Sequence, residues 1–205
     1  MGRGAAGCWT RRPTRVSGLS EVVAVSAGSG HSLAIEHDGS VWAWGGNSLG
    51  QLGNDTTGNT AVPVRVSGLT GVTAIAAGNE HSVALKSDGT VWAWGSNAVG
   101  QVGNGTSTTA RTPVQVGALS GVVQIAAGDS HSLALKTDGT VWAWGQGFSG
   151  QLGDGTTNNR NTPVQVAGLS GVVAITAGSA HSLALKRAAS AVRNLFAPVS
   201  WSGCR

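Results

Sequence analysis

The sequence repeats itself with a period of fifty residues, and this period constrains the fold more than any other feature. In the third copy the repeated motif runs from Gly128 to Gly145 and reads as two short β-strands joined by a tight turn. The same positions recur in every unit, among them Pro13, Pro63, Pro113 and Pro163, and His31, His81, His131 and His181. A period of about 40 to 50 residues made of strands and turns predicts a β-propeller or a similar β-array.

Each unit contains four short β segments. Two of them flank Asp138-Gly139, a strong hairpin signal because glycine adopts positive φ without a steric penalty. The segment Val172–Ala177 is mostly apolar, which favours the innermost position of a blade buried on both faces. The segment Pro163–Val166 begins with a residue that lacks an amide donor, which favours the outer edge. We therefore predict an all-β fold whose blades each contain four antiparallel strands.

The repeats do not extend over the whole chain. Residues 1–12 match no unit, residues 13–186 form the repeats with a partial fourth copy, and residues 187–205 form a non-repeat tail. Residues 188–196 are compatible with a short helix or with a loosely packed tail. Because small closed propellers need about four blades, we expect an incomplete or open propeller of about three to four blades. The loss of register at both ends is typical of a fragment or an altered reading frame.

Charge and composition exclude several classes of protein. Between residues 16 and 185 the chain has five basic and nine acidic residues, so the net positive charge lies only at the two ends. This distribution argues against nucleic-acid binding, which needs basic residues gathered on a folded face. No apolar run predicts a membrane span, and the first residues do not form a signal peptide, so the compartment stays unknown. Cys8 and Cys204 leave a bridge between the termini open, and the repeats need no disulfides.

Three motifs together carry a resemblance to a known family: Gly128 to Leu135, Asp138 to Gly145, and Gly150 to Thr156. These repeats resemble those of the regulator of chromosome condensation family of β-propellers, with the short, uniform units of its bacterial members. The resemblance implies propeller blades and binding of another protein. It also implies an alternative, guanine-nucleotide exchange on a small GTPase.

The repeated histidines do not predict a metal site or a catalytic site. Equivalent positions on neighbouring blades lie about 10 Å apart, whereas Zn–N bonds are about 2.0–2.1 Å long. We expect each ring to hydrogen-bond the backbone of its own blade, and His37 to be a solvated turn residue. Each repeated histidine is followed by a serine, but adjacent strand residues point to opposite faces and cannot readily share a proton. We therefore predict a protein that is not an enzyme and needs no cofactor.

Paired tryptophans are the second repeated feature, and they lie two residues apart so that both rings share one face of a strand. The pairs are Trp42 and Trp44, Trp92 and Trp94, and Trp142 and Trp144. Their large apolar rings predict packing between blades. The alternative is an exposed aromatic platform that would bind carbohydrate or peptide.

Positions that differ between units are candidates for recognition, since loops on a rigid scaffold commonly carry binding. The candidate interaction residues are Asn79, Glu80, Asp129, Ser130, Asn97, Phe148 and Ser149. We predict a non-enzymatic scaffold that binds an unidentified protein partner through its loops, with self-association through exposed blade faces. The exchange factor and the carbohydrate-binding propeller are the alternatives.

Overall fold

The computed structural model describes residues 15–117 and 119–187, and these residues form fourteen β-strands. The first sheet contains β1 (Val22–Ala27), β2 (His31–Glu36), β3 (Val41–Gly45) and β4 (Thr60–Arg65). The second contains β5 (Val72–Ala77), β6 (His81–Lys86), β7 (Val91–Gly95) and β8 (Ala110–Gln115). The third contains β9 (Val122–Ala127), β10 (His131–Lys136), β11 (Val141–Gly145) and β12 (Arg160–Gln165). The fourth contains β13 (Val172–Ala177) and β14 (Ser182–Lys186).

Each sheet is one blade whose strands follow chain order. The first three blades have four antiparallel strands, and the described part of the fourth blade has two. The first strands of successive blades, β1, β5, β9 and β13, contact one another, so they line the centre of the array. The strands β4, β8 and β12 lie at the opposite edge of their sheets. The predicted all-β blade architecture is therefore confirmed, with the apolar segment innermost and the proline segment outermost.

The Asp-Gly turns close the hairpins between the second and third strands. In the third blade the Gly139 amide donates to the carbonyl of Lys136 (2.9 Å), and the Lys136 amide donates to the carbonyl of Thr140 (3.0 Å). Gly139 has a φ of +75°, whereas Asp138 keeps negative φ and accepts a hydrogen bond from the Thr140 amide through Oδ1 (2.9 Å). This is a three-residue turn that ends in a glycine bulge, in which only the glycine needs the left-handed conformation.

The hydrophobic core lies between blades and not within a central globule. Side chains alternate across each strand, so every blade has one face toward the preceding blade and one toward the next. Between the third and fourth blades, Leu133 and Leu135 of β10 pack in one cluster with Val172 and Ile175 of β13. Two equivalent clusters lie between the earlier pairs of blades. The stability of each blade therefore depends on its neighbours.

Within residues 15–117 and 119–187 the array is an open arc, and no described residue covers either of its end faces. At the start of the arc, Val23 and Val25 of β1 are 61% and 72% exposed. At its end, Leu183 and Leu185 of β14 are 58% and 62% exposed, whereas Leu133, the third-blade equivalent of Leu183, is 1% exposed. The predicted incomplete or open propeller is confirmed.

Two expectations concern the ends of the chain. The possible bridge between Cys8 and Cys204 and the possible helix over 188–196 lie outside the described residues. Within residues 15–117 and 119–187, no helix has the length and apolar character needed to cross a membrane.

Candidate interaction surface

The loops that vary most between repeats lie at one end of the blades. In an antiparallel sheet the connections alternate between two ends, so the loops after the first and third strands share an end. Hydrogen bonds join them directly, for example from the Ser96 amide to the carbonyl of Glu80 (2.8 Å). We call this surface the loop end, and it comprises residues 28–30, 46–59, 78–80, 96–109, 128–130, 146–159 and 178–180. The opposite surface, the hairpin end, carries the repeated Asp-Gly turns.

The inner loops form a continuous rim around the centre of the arc. The Asn79 amide donates to the carbonyl of Asp129, and the Asp129 amide donates to the carbonyl of Ser179, both at 3.1 Å. These loops line a cavity of about 240 Å³ at the axis. Glu80 and Asp129 are exposed on this rim, while Asn79 and Ser130 are half-buried. Residues that are distant in sequence therefore form one surface.

Asn97 organises the outer loop of the second blade, although the sequence predicts that it contacts a binding partner. The side chain is fully buried. Its Nδ2 donates to the carbonyls of Thr106 (3.1 Å) and Thr108 (3.0 Å), and its Oδ1 accepts from the Val102 amide (2.9 Å). This corrects the expectation for Asn97, because an amide that satisfies the loop backbone from inside cannot contact a partner.

The outer loop of the third blade is held in another way. Glycine replaces asparagine at position 147, and a Cβ there would overlap the carbonyl oxygen of Asn158. An ion pair between Arg160 Nε and Asp154 Oδ2 (2.7 Å) closes the same loop. Phe148 is 64% exposed at its tip, and Ser149 is exposed beside it. The third blade thus presents an aromatic ring where the other two blades do not.

The loop end is acidic. Its loops contain four acidic residues, Asp55, Glu80, Asp129 and Asp154, and no lysine or arginine. Asp154 is neutralised by its ion pair with Arg160, and the Asp55 amide donates to the carbonyl of Arg111 (3.1 Å), an exposed cation of β8. The negative charges of the inner rim are therefore Glu80 and Asp129. The surface therefore combines negative charge with one exposed aromatic ring.

Polar contacts, which we call joints, link neighbouring blades next to this surface. His81 Nε2 lies 2.9 Å from Ser132 Oγ of the next blade, and Ser132 Oγ donates to the carbonyl of Gln101 (3.0 Å). Because the hydroxyl has one proton, the histidine Nε2–H must donate to Ser132 Oγ. The pairs His31–Ser82 (2.9 Å) and His131–Ser182 (3.1 Å) repeat the contact.

These joints correct the expectation that each histidine bonds the backbone of its own blade. The ring of His31, His81 or His131 instead contacts a serine side chain fifty-one positions later. The only sequence signal for this contact is the recurrence of serine after each histidine, since one period plus one residue separates the partners.

Burial keeps the joint histidines neutral. It lowers the pKa of His31 and of His131 to about 4. Burial, together with the neighbouring His31 and His131, lowers the pKa of His81 to about 3. Within the described residues the Nδ1 atoms of the three rings are buried without a hydrogen-bond partner, so protonation would bury an unpaired N–H. A neutral ring that donates to the serine is not a base for that hydroxyl.

The second tryptophan of each pair completes the joint. Trp94 and Trp144 are fully buried, and their Nε1 atoms donate to the carbonyls of Gln51 (2.8 Å) and Gln101 (2.9 Å) of the preceding blade. Trp44 is half-buried in the first blade, and the first tryptophans of the pairs, Trp42, Trp92 and Trp142, are half-buried in all three. The structure thus places the paired rings between blades and at their rims.

Comparison with known proteins gives one family match. The model of the RCC1-like domain matches residues 1–193 of this chain. Among curated proteins, the E3 ubiquitin-protein ligase HERC2 of Homo sapiens is 47% identical over 49 residues, which is 23% of this chain and 1% of the ligase. The mouse HERC2 protein gives the same figures.

Solved structures show the same fold. Prp20p of Saccharomyces cerevisiae matches with a TM-score of 0.73 at 23% identity, over 82% of this chain and 44% of Prp20p. Yeast RCC1 (Prp20) in its complex with Kap60 matches with a TM-score of 0.70 at 30% identity, over 81% of this chain and 41% of that chain. Human WBSCR16 matches with a TM-score of 0.64 at 20% identity, over 87% of this chain and 61% of WBSCR16. This chain therefore spans less than half the length of the yeast structures.

Proposed function

The chain belongs to the RCC1-like domain family, and on that premise we propose that it is a non-enzymatic scaffold that binds another protein through its loop end. The observation that carries the proposal is the asymmetry between the two ends of the blades. Variable, exposed residues gather at one end, while the other end repeats the same turn in each complete blade. A rigid framework with variable loops is a common design for recognition.

The chemistry of the loop end supports a basic partner with an apolar contact. Glu80 and Asp129 are exposed on the inner rim, and Phe148 stands out from the third blade. Complementary charge speeds encounter and excludes wrong partners, while aromatic anchors at the centre of an interface supply much of the affinity. We therefore propose that the partner's surface is positively charged and has an apolar pocket that accepts the Phe148 ring.

The relatives agree with protein binding in general terms. Prp20p was characterised for its binding to Gsp1p and histones, and yeast RCC1 was solved bound to Kap60. Because this chain spans less than half of those proteins, their partners are not carried over. What supports the proposal is that proteins with this fold bind other proteins.

The two alternatives have weaker support. Guanine-nucleotide exchange rests on the family alone. Carbohydrate binding needs exposed indole rings, whereas the six tryptophans of the described blades are buried or half-buried.

A pair of matched variants tests the proposal. The loop-end variant combines Glu80→Gln, Asp129→Asn and Phe148→Ala. The control combines Asp88→Asn, Asp138→Asn and Val123→Ala, which remove two exposed acids and one exposed apolar group away from the loop end. In quantitative affinity purification, we expect a partner that the wild type and the control retain equally and that the loop-end variant retains about tenfold less, a loss of about 1.4 kcal/mol.

Two results would overturn the proposal. In one, the control loses the partner while the loop-end variant keeps it. In the other, the wild type accelerates nucleotide release from a small GTPase and the loop-end variant does not, which would establish the exchange factor instead.

A further inference from the structure

The two complete joints between blades show what a third strand contributes to its neighbour. At the joint between the second and third blades, the indole of Trp144 lies against Gly103, where an added Cβ would come within 2.7 Å of the ring. Its Nε1 donates to the carbonyl of Gln101 (2.9 Å). Trp94 lies against Gly53 in the same way at the first joint, with its Nε1 on the carbonyl of Gln51 (2.8 Å). Each joint thus has a slot shaped for one indole.

The third joint has the same slot, and no described indole fills it. The Gln151 carbonyl accepts from Ser182 Oγ (2.7 Å), as its counterparts do from Ser82 and Ser132. Gly153 keeps the left-handed conformation with a φ of +61°, and a Cβ there would meet Val166 but no aromatic ring of the described chain. A cavity of about 400 Å³ occupies this place, within the roughly 300–1,000 Å³ typical of ligand pockets. We call it the β14 groove, lined by Gln151, Gly153, Val166, Leu169, Ser182 and Ala184.

The edge of β14 beside this groove offers backbone hydrogen bonds. In the third blade, two backbone hydrogen bonds flank the ladder between β10 and β11. The Gln146 amide donates to the Ser130 carbonyl (2.8 Å), and the Lys136 amide donates to the Thr140 carbonyl (3.0 Å). Hydrogen-bonded pairs alternate with non-bonded pairs in an antiparallel ladder. Ser132 therefore exchanges backbone hydrogen bonds with Trp144, and Ala134 does so with Trp142. The same alternation on β14 directs the N–H and C=O groups of Ser182 and Ala184 toward its outer edge, where the described residues place no further strand.

We propose that the β14 groove accepts an extended segment of a separate protein that carries tryptophans at alternate positions, as in Val-Trp-Ala-Trp-Gly. The segment adds to β14 as an antiparallel third strand. Its second indole enters the groove, where Nε1–H donates to the Gln151 carbonyl, and its first indole lies beside Ala184. Strand addition of this kind draws affinity from backbone bonds and specificity from side-chain pockets.

Neither this chain's tail nor a second copy fits the groove as well. In the hairpin register of the other blades, Val192 and Asn194 would stand opposite Ala184 and Ser182, and neither residue has an indole. A second copy has the right sequence in β3, β7 and β11, but each of these strands already pairs on both edges within its own sheet. A copy would have to open a blade to donate one. A segment of a separate protein has neither difficulty, because it can carry the tryptophans and does not have to leave a blade.

A synthetic peptide tests the proposal with the full-length chain. The probe is Thr-Val-Trp-Ala-Trp-Gly, the sequence of residues 140–145, followed by two lysines for solubility, and its binding is measured by calorimetry. We expect one peptide per chain. Replacing the second tryptophan by alanine should weaken binding by at least about tenfold. N-methylation of the second tryptophan should have a similar effect, because this amide faces β14, whereas N-methylation of the central alanine should not.

Protein variants locate the site. Ala184→Lys places a long charged chain in the groove and should weaken binding about tenfold, while the adjacent Leu185→Lys points to the opposite face, does not line the groove and should leave binding within about twofold. The proposal is overturned if the wild type does not bind the peptide, if both N-methyl peptides bind equally, or if binding appears only after Trp201→Ala, which would mean that the tail fills the groove. It is also overturned if sedimentation shows a dimer that the peptide does not dissociate. The loop-end variant should bind the peptide normally, so this proposal and the proposed function fail separately.

Discussion

The joint between the second and third blades and the joint between the third and fourth share most of their parts, but among the described residues only the first contains an indole. Both have a histidine and a glutamine carbonyl on the earlier blade and a serine on the later blade. The joint with the indole adds Trp144, which is fully buried, whereas the described residues of the third joint leave a groove at the same place.

This difference shows that each joint is encoded in two halves, in successive repeats. The histidine and the glutamine belong to one repeat, and the serine and the tryptophan belong to the next. Among the described residues, the half of the third joint that lies on the third blade has the same geometry without an indole, as the Ser182–Gln151 bond shows. At the joint between the second and third blades, the tryptophan adds apolar burial and one hydrogen bond.

Removing the indole from the complete joint should have the largest effect. We expect Trp144→Ala to lower the free energy of unfolding by about 3–5 kcal/mol, because it opens a cavity in a fully buried site. Urea denaturation measures the loss. Trp142→Ala, on the same strand but half-buried, is the control and should cost clearly less. Equal losses for the two variants would contradict the distinct role of the second ring.

Acid should weaken all joints that bury a histidine. The folded-state pKa values of His31, His81 and His131 lie near 4, 3 and 4, below an unfolded value of about 6.5. The unfolded state therefore binds more protons below pH 6.5, and stability falls as the pH drops from there toward the folded values. Each ring should contribute a loss of about 2 kcal/mol between pH 7 and pH 5.

Denaturation at a series of pH values measures this loss. His81→Gln should remove one ring's share of the pH dependence. A profile that His81→Gln does not alter would show that the joint histidines are not the groups responsible.

The serines should give the smallest effect and the sharpest comparison of the two joints. Ser132→Ala leaves the His81 Nε2–H buried without an acceptor, and we expect a cost of about 1–3 kcal/mol. Ser182 is half-buried, so water can replace its hydroxyl and Ser182→Ala should cost less. Thermal denaturation of both variants checks the order. Equal losses of stability would mean that the third joint excludes water as well as the second does.

Much of the blade could be read from local sequence. The Asp-Gly turn, the apolar segment that forms β13 and the proline segment that lies in β12 each express a preference of a few neighbouring residues. The candidate interaction residues differ in how exposed the structure leaves them. Phe148, Glu80 and Asp129 are exposed at the loop end, whereas Asn97 is buried because its amide satisfies a loop up to eleven residues away.

The sequence by itself determined the repeat, the strands of each blade and their order, because period, alternation and turn chemistry are local properties. Only the tertiary structure decided which side chains meet across a joint. The His81–Ser132 contact and the indole slot at Gln151 each join residues of two repeats, and such contacts exist only after the blades pack face to face. The fifty-residue period specifies one blade, and the space between two blades is what gives its histidine, serine and tryptophan their partners.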